Sequence, residues 1–410
     1  MNLLVTSEAH FSVADAGMIC GDGPVNYSIW AHFLEVFDRV TVLARVGTSK
    51  RVWPLEARAD GPCVSFHALP DYNGPWGYLR TFPKLKALVR QVVLQSDAYL
   101  LRVPGLVGRT AWVEINRLRR PYALEVVGDP WDALATGAVR GTFRPVFRRA
   151  AVRDLKKMCV GAVAVKYVTQ RTLQQRYPPG KASYAVGFSD AAMDDGFAIL
   201  PTMEDRCRRI EERIAQDGNR GRTLHVGFIG SLSQMYKGPD ILLRAAALCR
   251  NRGLELLIEL VGDGRYMGTL KKMALRLGIA DRTKFHGQLP SGKPVRDFLD
   301  AIDLFVLPSR AEGLPRALLE AMARGCPCLG SNVGGIPELL DPVDIVPVGD
   351  ADGLAGKILD AAGTPGRMRQ MAERNFERAK QFSPEALRKS RRDFLYQVRR
   401  RSVDAEALPS

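Results

Sequence analysis

The stretch Phe305–Leu340, FVLPSRAEGLPRALLEAMARGCPCLGSNVGGIPELL, decides how the rest of the chain reads. Its first residues end an apolar strand, Asp303–Leu307, which breaks at Pro308-Ser309. A helix is expected from Pro315, because proline lacks the N–H that would be unpaired at the first helical position. The run ALLEAMA continues it with strong helix formers. A strand–loop–helix junction of this kind turns free backbone N–H groups and a positive dipole end toward one spot, which suits a phosphate. Two carboxylates bracket the junction, Glu312 before the helix and Glu320 inside it, so they reach different parts of one elongated ligand. Cys326 and Cys328 flank a proline on an expected buried strand and read as small core residues.

The same junction recurs upstream. Leu224–Ile229 reads as a strand, followed by GSLSQMYKGPDILLRAAALC, a glycine turn and a helix from Pro239. Lys237 stands just ahead of that helix, where an ammonium meets a diphosphate as a point charge. Leu256–Val261 is a further strand, closed by GDGRY. At the other end of the chain, Leu3–Thr6 is a short strand. A loop with Gly17, Gly21, Gly23 and Pro24 follows it, then an amphipathic helix Val25–Phe37 and a strand Val40–Ala44. This is the opening of a doubly wound domain. Strands at Val64–Leu69, Ala98–Val103, Tyr122–Val127, Ala162–Val165 and Ser183–Val186 continue it, with helices Tyr78–Leu94 and Leu106–Leu118 between. GDPWD places Asp129 past a strand end, either facing a ligand or capping the next helix. Ser189–Arg222 loses apolar rhythm and reads as a connection. Ser383-Pro384-Glu385 opens a last helix, with Ser as N-cap and Pro at the first helical position. The expected division is a first doubly wound domain 1–200, a linker 201–222, a second doubly wound domain 223–383 and a last helix with its tail, 384–410.

Glu312, seven intervening residues and Glu320, inside EGLPRALLEAMA with a strand before and GGIPE after, resemble the signature of the family 4 retaining glycosyltransferases. The resemblance is strong over Leu224–Leu340 and holds in outline for the first domain. It implies the GT-B fold: two Rossmann-like doubly wound α/β domains facing a central cleft, with the last helix crossing back to the first domain. It implies transfer of a hexosyl group from a nucleoside-diphosphate sugar, UDP- or GDP-linked, to a glycan or lipid-linked acceptor. The transfer proceeds with retention and without an obligatory metal or other cofactor. By the same resemblance Glu312 orients the donor sugar and Glu320 holds the ribose. Lys237 and the backbone near Gly313, Leu314, Arg316, Ala317 and Leu318 meet the diphosphate. Ser231, Gly262, His286, Gly287 and Gln288 surround the nucleotide, Gly21 and Gly23 lie in a loop meeting phosphates or acceptor, and Asp129 serves the acceptor side. The family has an arginine where this chain has Ser231, which removes one positive charge from the diphosphate.

Composition bounds the alternatives. A length of 410 residues, with 46% apolar and 8% aromatic residues, suits two globular domains. The N-terminus lacks a basic signal-peptide region, no run of 18 apolar residues occurs, and the seven cysteines form no metal or disulfide pattern. A cytoplasmic protein with reduced thiols is expected, peripheral to the inner face of the cell membrane. The net charge of +15 is concentrated: Leu101–Ala185 holds 16 Lys/Arg against five Asp/Glu. Arg140, Arg144, Arg148 and Arg149, interleaved with Phe143 and Phe147, suggest contact with an anionic membrane surface. Nucleic acid is not expected as a partner, because no aromatic-rich strand or reading helix accompanies the charge. A nucleotide-sugar epimerase and a non-catalytic nucleotide-sugar-binding protein are the other readings of the same motifs.

Overall fold

The computed structural model describes residues 1–14, 17–21, 25–49, 53–72, 74–134, 144–189, 203–216, 223–364 and 366–406. Gly23, Arg140 and Phe143 lie outside them, as do both ends of the expected linker.

Two parallel sheets organise the chain. The first contains β1 (Asn2–Val13), β2 (Ile19–Gly21), β3 (Arg39–Thr48), β4 (Val64–Leu69), β5 (Ala98–Val103), β6 (Ala123–Val126), β7 (Ala164–Tyr167) and β8 (Tyr184–Gly187). They run in the order β4-β3-β1-β5-β6-β7-β8, with β2 antiparallel on β1. The second contains β9 (Thr223–Ile229), β10 (Glu255–Val261), β11 (Thr283–Gly287), β12 (Leu304–Leu307), β13 (Cys328–Ser331) and β14 (Ile345–Val346). These run in the order β11-β10-β9-β12-β13-β14. Both sheets are doubly wound, as crossover helices between parallel strands dictate. The chain divides into two compact units: Met1–Val127 with Ala150–Phe188 and Arg388–Ser410, and Gly128–Arg149 with Ser189–Leu387.

The four central strands of the second sheet, β9, β10, β12 and β13, follow the expected strands closely. Val226, Phe228, Ile258, Leu260, Phe305 and Leu307 are buried on it, and Cys326 and Cys328 are buried free thiols, as expected. The final helix, Pro384–Glu406, starts where Ser383 Oγ accepts from the Ala386 N–H at 3.3 Å. It returns to the first unit, burying Phe394, Leu395 and Val398 there and packing Phe394 edge-on to Phe188.

Several expectations need correction. β1 does not stop at Thr6 but runs to Val13, because β3 pairs with it along that length despite the polar composition of Ser7–Ser12. Gly21 is therefore not in a phosphate loop. It lies in β2 opposite Phe11, and a Cβ there would be 2.4 Å from the Val25 carbonyl oxygen. The helix expected at Val25–Phe37 shrinks to Tyr27–Ala31 and a 3-10 turn, His32–Glu35. The helix after β12 starts at Arg316, with Pro315 as its N-cap rather than its first residue.

Within the expected linker, Met203–Gln216 is a helix packed on the second unit. Its Arg206 is buried, and its guanidinium donates to the carbonyls of Leu299 (3.2 Å), Asp300 (3.1 Å) and Ile302 (2.9 Å), and to Cys326 Sγ (2.9 Å). An arginine fork at the carboxyl end of helix Lys293–Ala301 satisfies carbonyls the helix leaves unpaired. The apolar period disappears because a charged residue fills a core position. The helix Arg367–Ala379, absent from the sequence reading, is anchored similarly: Arg367 and Arg374 both bond the fully buried Asp344.

Candidate active site of the second unit

The loops at the carboxyl ends of β9, β10 and β12 are joined backbone to backbone, and glycine is what lets them meet. Gly238 adopts a left-handed conformation, and a Cβ there would lie 2.0 Å from the Pro308 carbonyl oxygen. The loop after β9 is thus pressed onto the start of the loop after β12. Gly262, with φ +140°, approaches Gly230 so closely that a Cβ would sit 1.9 Å from its carbonyl oxygen. Such contacts exclude any side chain.

This closeness brings Lys237 and Glu312 together. Lys237 ends a 3-10 turn, Met235–Lys237, immediately before helix Pro239–Asn251. Its Nζ donates to both Glu312 oxygens, at 2.7 and 2.8 Å. Ser309 Oγ donates to Glu312 Oε1 at 2.6 Å from a fully buried position, and Ser331 Oγ donates to the Ser309 carbonyl. A second clamp lies alongside. Arg310 donates to Asp240 Oδ1 and Oδ2 at 2.8 and 2.7 Å and to the Met235 carbonyl at 2.8 Å. The Arg310 N–H bonds the Tyr236 carbonyl at 2.6 Å. A bidentate arginine–carboxylate pair holds its partners in one geometry, here fixing the loop of Lys237 against the loop of Glu312.

The GGIPE segment closes the other side. Gly335 N–H donates to the Gly313 carbonyl at 2.6 Å. At Gly334, with φ +55°, a Cβ would lie 2.3 Å from the Glu312 carbonyl oxygen. Glu320 is buried one helical turn past Arg316, whose Nε donates to it at 2.7 Å. Leu318 is fully buried in the core and Ala317 packs against it, so only their backbone faces this junction. Ser231 is exposed, and its Oγ accepts from the Ser233 N–H at 3.2 Å.

The end of β11 borders this junction, its Gly287 carbonyl accepting from the Gly262 N–H at 2.8 Å. His286, Gly287 and Gln288 lie at the end of the edge strand β11. His286 is engaged there: its Nε2 is 2.9 Å from Glu259 Oε2, and Glu259 also pairs with His225 at 3.3 Å. The two imidazoles hold the Glu259 carboxyl below its usual pKa, with His225 the larger influence. Asp129 caps the four-residue helix Pro130–Ala133, accepting from the Trp131 N–H at 2.7 Å. Sequence reasoning missed Ser309, Arg310 and Asp240, although all three sit inside the motifs that identified Glu312 and Lys237.

The arrangement can do one thing well. Four charged groups that neutralise one another in pairs surround loop ends rich in backbone N–H groups. A ligand that engages Glu312 through hydroxyls frees the Lys237 ammonium for an anion beside it.

Known proteins resemble this chain in sequence over part of its length and in fold over nearly all of it. Residues 223–363 match the family described as glycosyl transferases group 1. Protein CapJ from Staphylococcus aureus is 25% identical over 329 residues, 78% of each chain. N-acetyl-alpha-D-glucosaminyl L-malate synthase from Bacillus anthracis is 32% identical over 176 residues, 42% of this chain and 45% of that one. Among solved structures, HepE from Anabaena in complex with UDP and glucose is similar with a TM-score of 0.65 at 19% identity, covering 96% of this chain and 99% of that one. Sucrose-phosphate synthase from Thermosynechococcus elongatus is similar with a TM-score of 0.67 at 17% identity, covering 97% and 99%. The two doubly wound units have the GT-B fold, and the likeness to the group 1 glycosyl transferases is confined to residues 223–363 of the second unit.

Proposed function

We propose that the chain transfers a hexosyl group from a nucleoside-diphosphate sugar to a glycan or lipid-linked acceptor, with retention at the anomeric carbon, in the synthesis of a polysaccharide or glycolipid. The observation that carries this reading is the Lys237 ammonium bonded to both oxygens of Glu312 where the β9 and β12 loops meet. Donor hydroxyls replace the ammonium on Glu312. Lys237 and the N–H groups at the start of helix Arg316–Ala323 then stabilise the charge on the departing diphosphate. Glu320 takes the ribose. Residues 1–200 act as the acceptor side and 223–383 as the donor side. Solved neighbours that hold UDP or UDP-glucose and a relative described as a lipopolysaccharide core biosynthesis glycosyltransferase support the reading. A panel of UDP- and GDP-sugars scored for cleavage and transfer tests it. Glu312→Ala and Lys237→Ala are expected to lower turnover at least a hundredfold. The thermal midpoint should fall as well, because either change leaves the partner's charge buried without its counter-ion, so turnover is read on protein shown to be folded. Wild-type turnover in either variant removes that residue from the mechanism.

We further propose a membrane-surface role. Helix Arg144–Gly161 leaves Val146 and Phe147 64% and 59% exposed beside Arg148 and Arg149. Arg148 itself lies over the half-exposed Trp131 ring, 3.5 Å from its centroid. Each basic residue at an anionic surface contributes about 1 kcal/mol, and inserted apolar side chains add to it. No described helix is long and apolar enough to cross a membrane; the attachment proposed on the charge and apolar side chains is peripheral, at the inner face of the cell membrane. Vesicles with 30% phosphatidylserine should retain the protein at low salt and release it at high salt. Replacing Arg144, Arg148 and Arg149 with Glu should abolish sedimentation with them. A triple variant that still sediments like the parent places the surface elsewhere.

A further inference from the structure

The first unit carries its own group of chemistry-bearing side chains at the carboxyl ends of its parallel strands, the rim where ligands of such sheets bind. β1 is irregular there. Its register against β3 shifts between Thr6 and His10, and a bulge of this kind re-aims the side chains it carries.

One such side chain is Glu8. Its Oε1 accepts from the Val107 N–H at 2.7 Å and the Gly108 N–H at 3.4 Å, in the first turn of helix Leu106–Arg117. At Gly105 a Cβ would lie 2.2 Å from that oxygen, so the carboxylate fills the notch at the helix start. The other is His10. Its Nδ1 is 2.7 Å from Asp71 Oδ1, just past the end of β4, and both side chains remain about two-fifths exposed. A carboxylate accepts only, so the proton of a neutral His10 sits on Nδ1 and the Nε2 lone pair is left to accept.

The nearest cation belongs to the cluster and is engaged by Glu8, with an Arg45 guanidinium nitrogen 3.8 Å from Glu8 Oε2. Arg45, opposite His10 on β3, donates to the carbonyls of Glu8 and Tyr72 and lies over the Tyr72 ring at 4.9 Å. The buried Tyr72 hydroxyl has no partner among the described residues.

We propose that this cluster is a subsite for the acceptor, selecting a neutral sugar hydroxyl and rejecting a phosphate-bearing acceptor. The inference rests on the transferase reading above. A hydroxyl donates to His10 Nε2, while Asp71 fixes the ring as a positioning residue. A phosphate meets the opposite situation: Glu8 already occupies the helix N–H groups that would bind it, Arg45 is engaged by Glu8, and Asp71 leaves the cluster with a net negative charge.

The probes are methyl glycosides of glucose, galactose, mannose and N-acetylglucosamine, and the corresponding 6-phosphates. In proton NMR the His10 C2–H signal, identified among the five histidines by its loss in His10→Ala, should shift with at least one methyl glycoside and with none of the phosphates. In transfer assays His10→Ala and Asp71→Asn should raise the KM for that glycoside at least tenfold, with nucleoside-diphosphate affinity and thermal midpoint unchanged. A wild-type KM in His10→Ala, preference for a 6-phosphate, or an unmoved His10 signal overturns the inference. Failure to cleave any nucleotide sugar overturns the transferase reading instead, and the NMR signal still reports whether this rim binds neutral sugars.

Discussion

The most consequential residues are polar groups taken out of water in pairs. In the first sheet Arg102, Glu125 and Lys166 stand side by side on adjacent strands β5, β6 and β7. Lys166 Nζ is 3.2 Å from Glu125 Oε1, and Arg102 is 3.5 Å from Oε2. Burial opposes the charge on Glu125, but Lys166, Arg102 and His32 hold its pKa down at about 2. Burial, with Arg391 close by, pushes the His32 imidazole down to about 3 against the pull of Glu125. A depressed folded-state pKa means that the unfolded chain binds the proton first. Stability from neutral His32 is therefore complete above its ordinary pKa of 6.5 and is lost as pH falls toward 3. Between pH 6.5 and 4.5 the loss amounts to about 2 kcal/mol. Unfolding free energies from urea titration at pH 7 and pH 5 should differ by that much in the parent and far less in His32→Phe. An equal pH dependence in both would assign the effect to other groups.

At the scale of elements, glycine decides where loops touch. Gly238 is the clearest case, since its φ of +74° and the 2.0 Å approach to the Pro308 oxygen bar a side chain on two independent grounds. Gly238→Ala is expected to separate the β9 and β12 loops, weakening the Lys237–Glu312 bonds that span them. The expected outcome is a loss of at least 1–2 kcal/mol of stability together with a turnover drop exceeding tenfold. Urea titration and donor cleavage, measured on the same preparation, check it. Gly253→Ala is the control, because a Cβ there meets nothing within 4 Å although its φ is also positive. It should cost stability alone.

At the scale of the molecule, the chain's end belongs to its beginning. Phe394, Leu395 and Val398 are buried in the first unit, and Arg399 donates to the Val36 carbonyl. Burying three such side chains contributes roughly 5–9 kcal/mol, comparable to the whole stability of a typical domain. Truncation after Leu387 should therefore unfold the first unit while the second keeps its own core. Calorimetry should show one of two transitions lost, and limited proteolysis should leave a fragment containing residues 223–363. Two intact transitions in the truncated chain would show that the helix contributes little.

The sequence by itself determined the four central strands of the second sheet, β9, β10, β12 and β13, and pointed to Lys237 and Glu312 within its motifs. There, local signals agree with one another: apolar strands end at glycine or proline, and helices begin at residues suited to their first turn. Cys326, Cys328 and the closing helix from Pro384 were legible for the same reason. Tertiary structure decided what depends on partners remote in sequence. β1 extends through polar residues because β3 lies beside it. The helix Met203–Gln216 forms where the apolar rhythm fails because Arg206 finds carbonyl acceptors almost a hundred residues away. The His10–Asp71 pair exists because a bulge in one strand brings two groups 61 positions apart within a hydrogen bond. Local propensity records the cost of each residue where it stands, whereas a charge, a hydroxyl or a glycine is placed by the atoms that the fold brings to it.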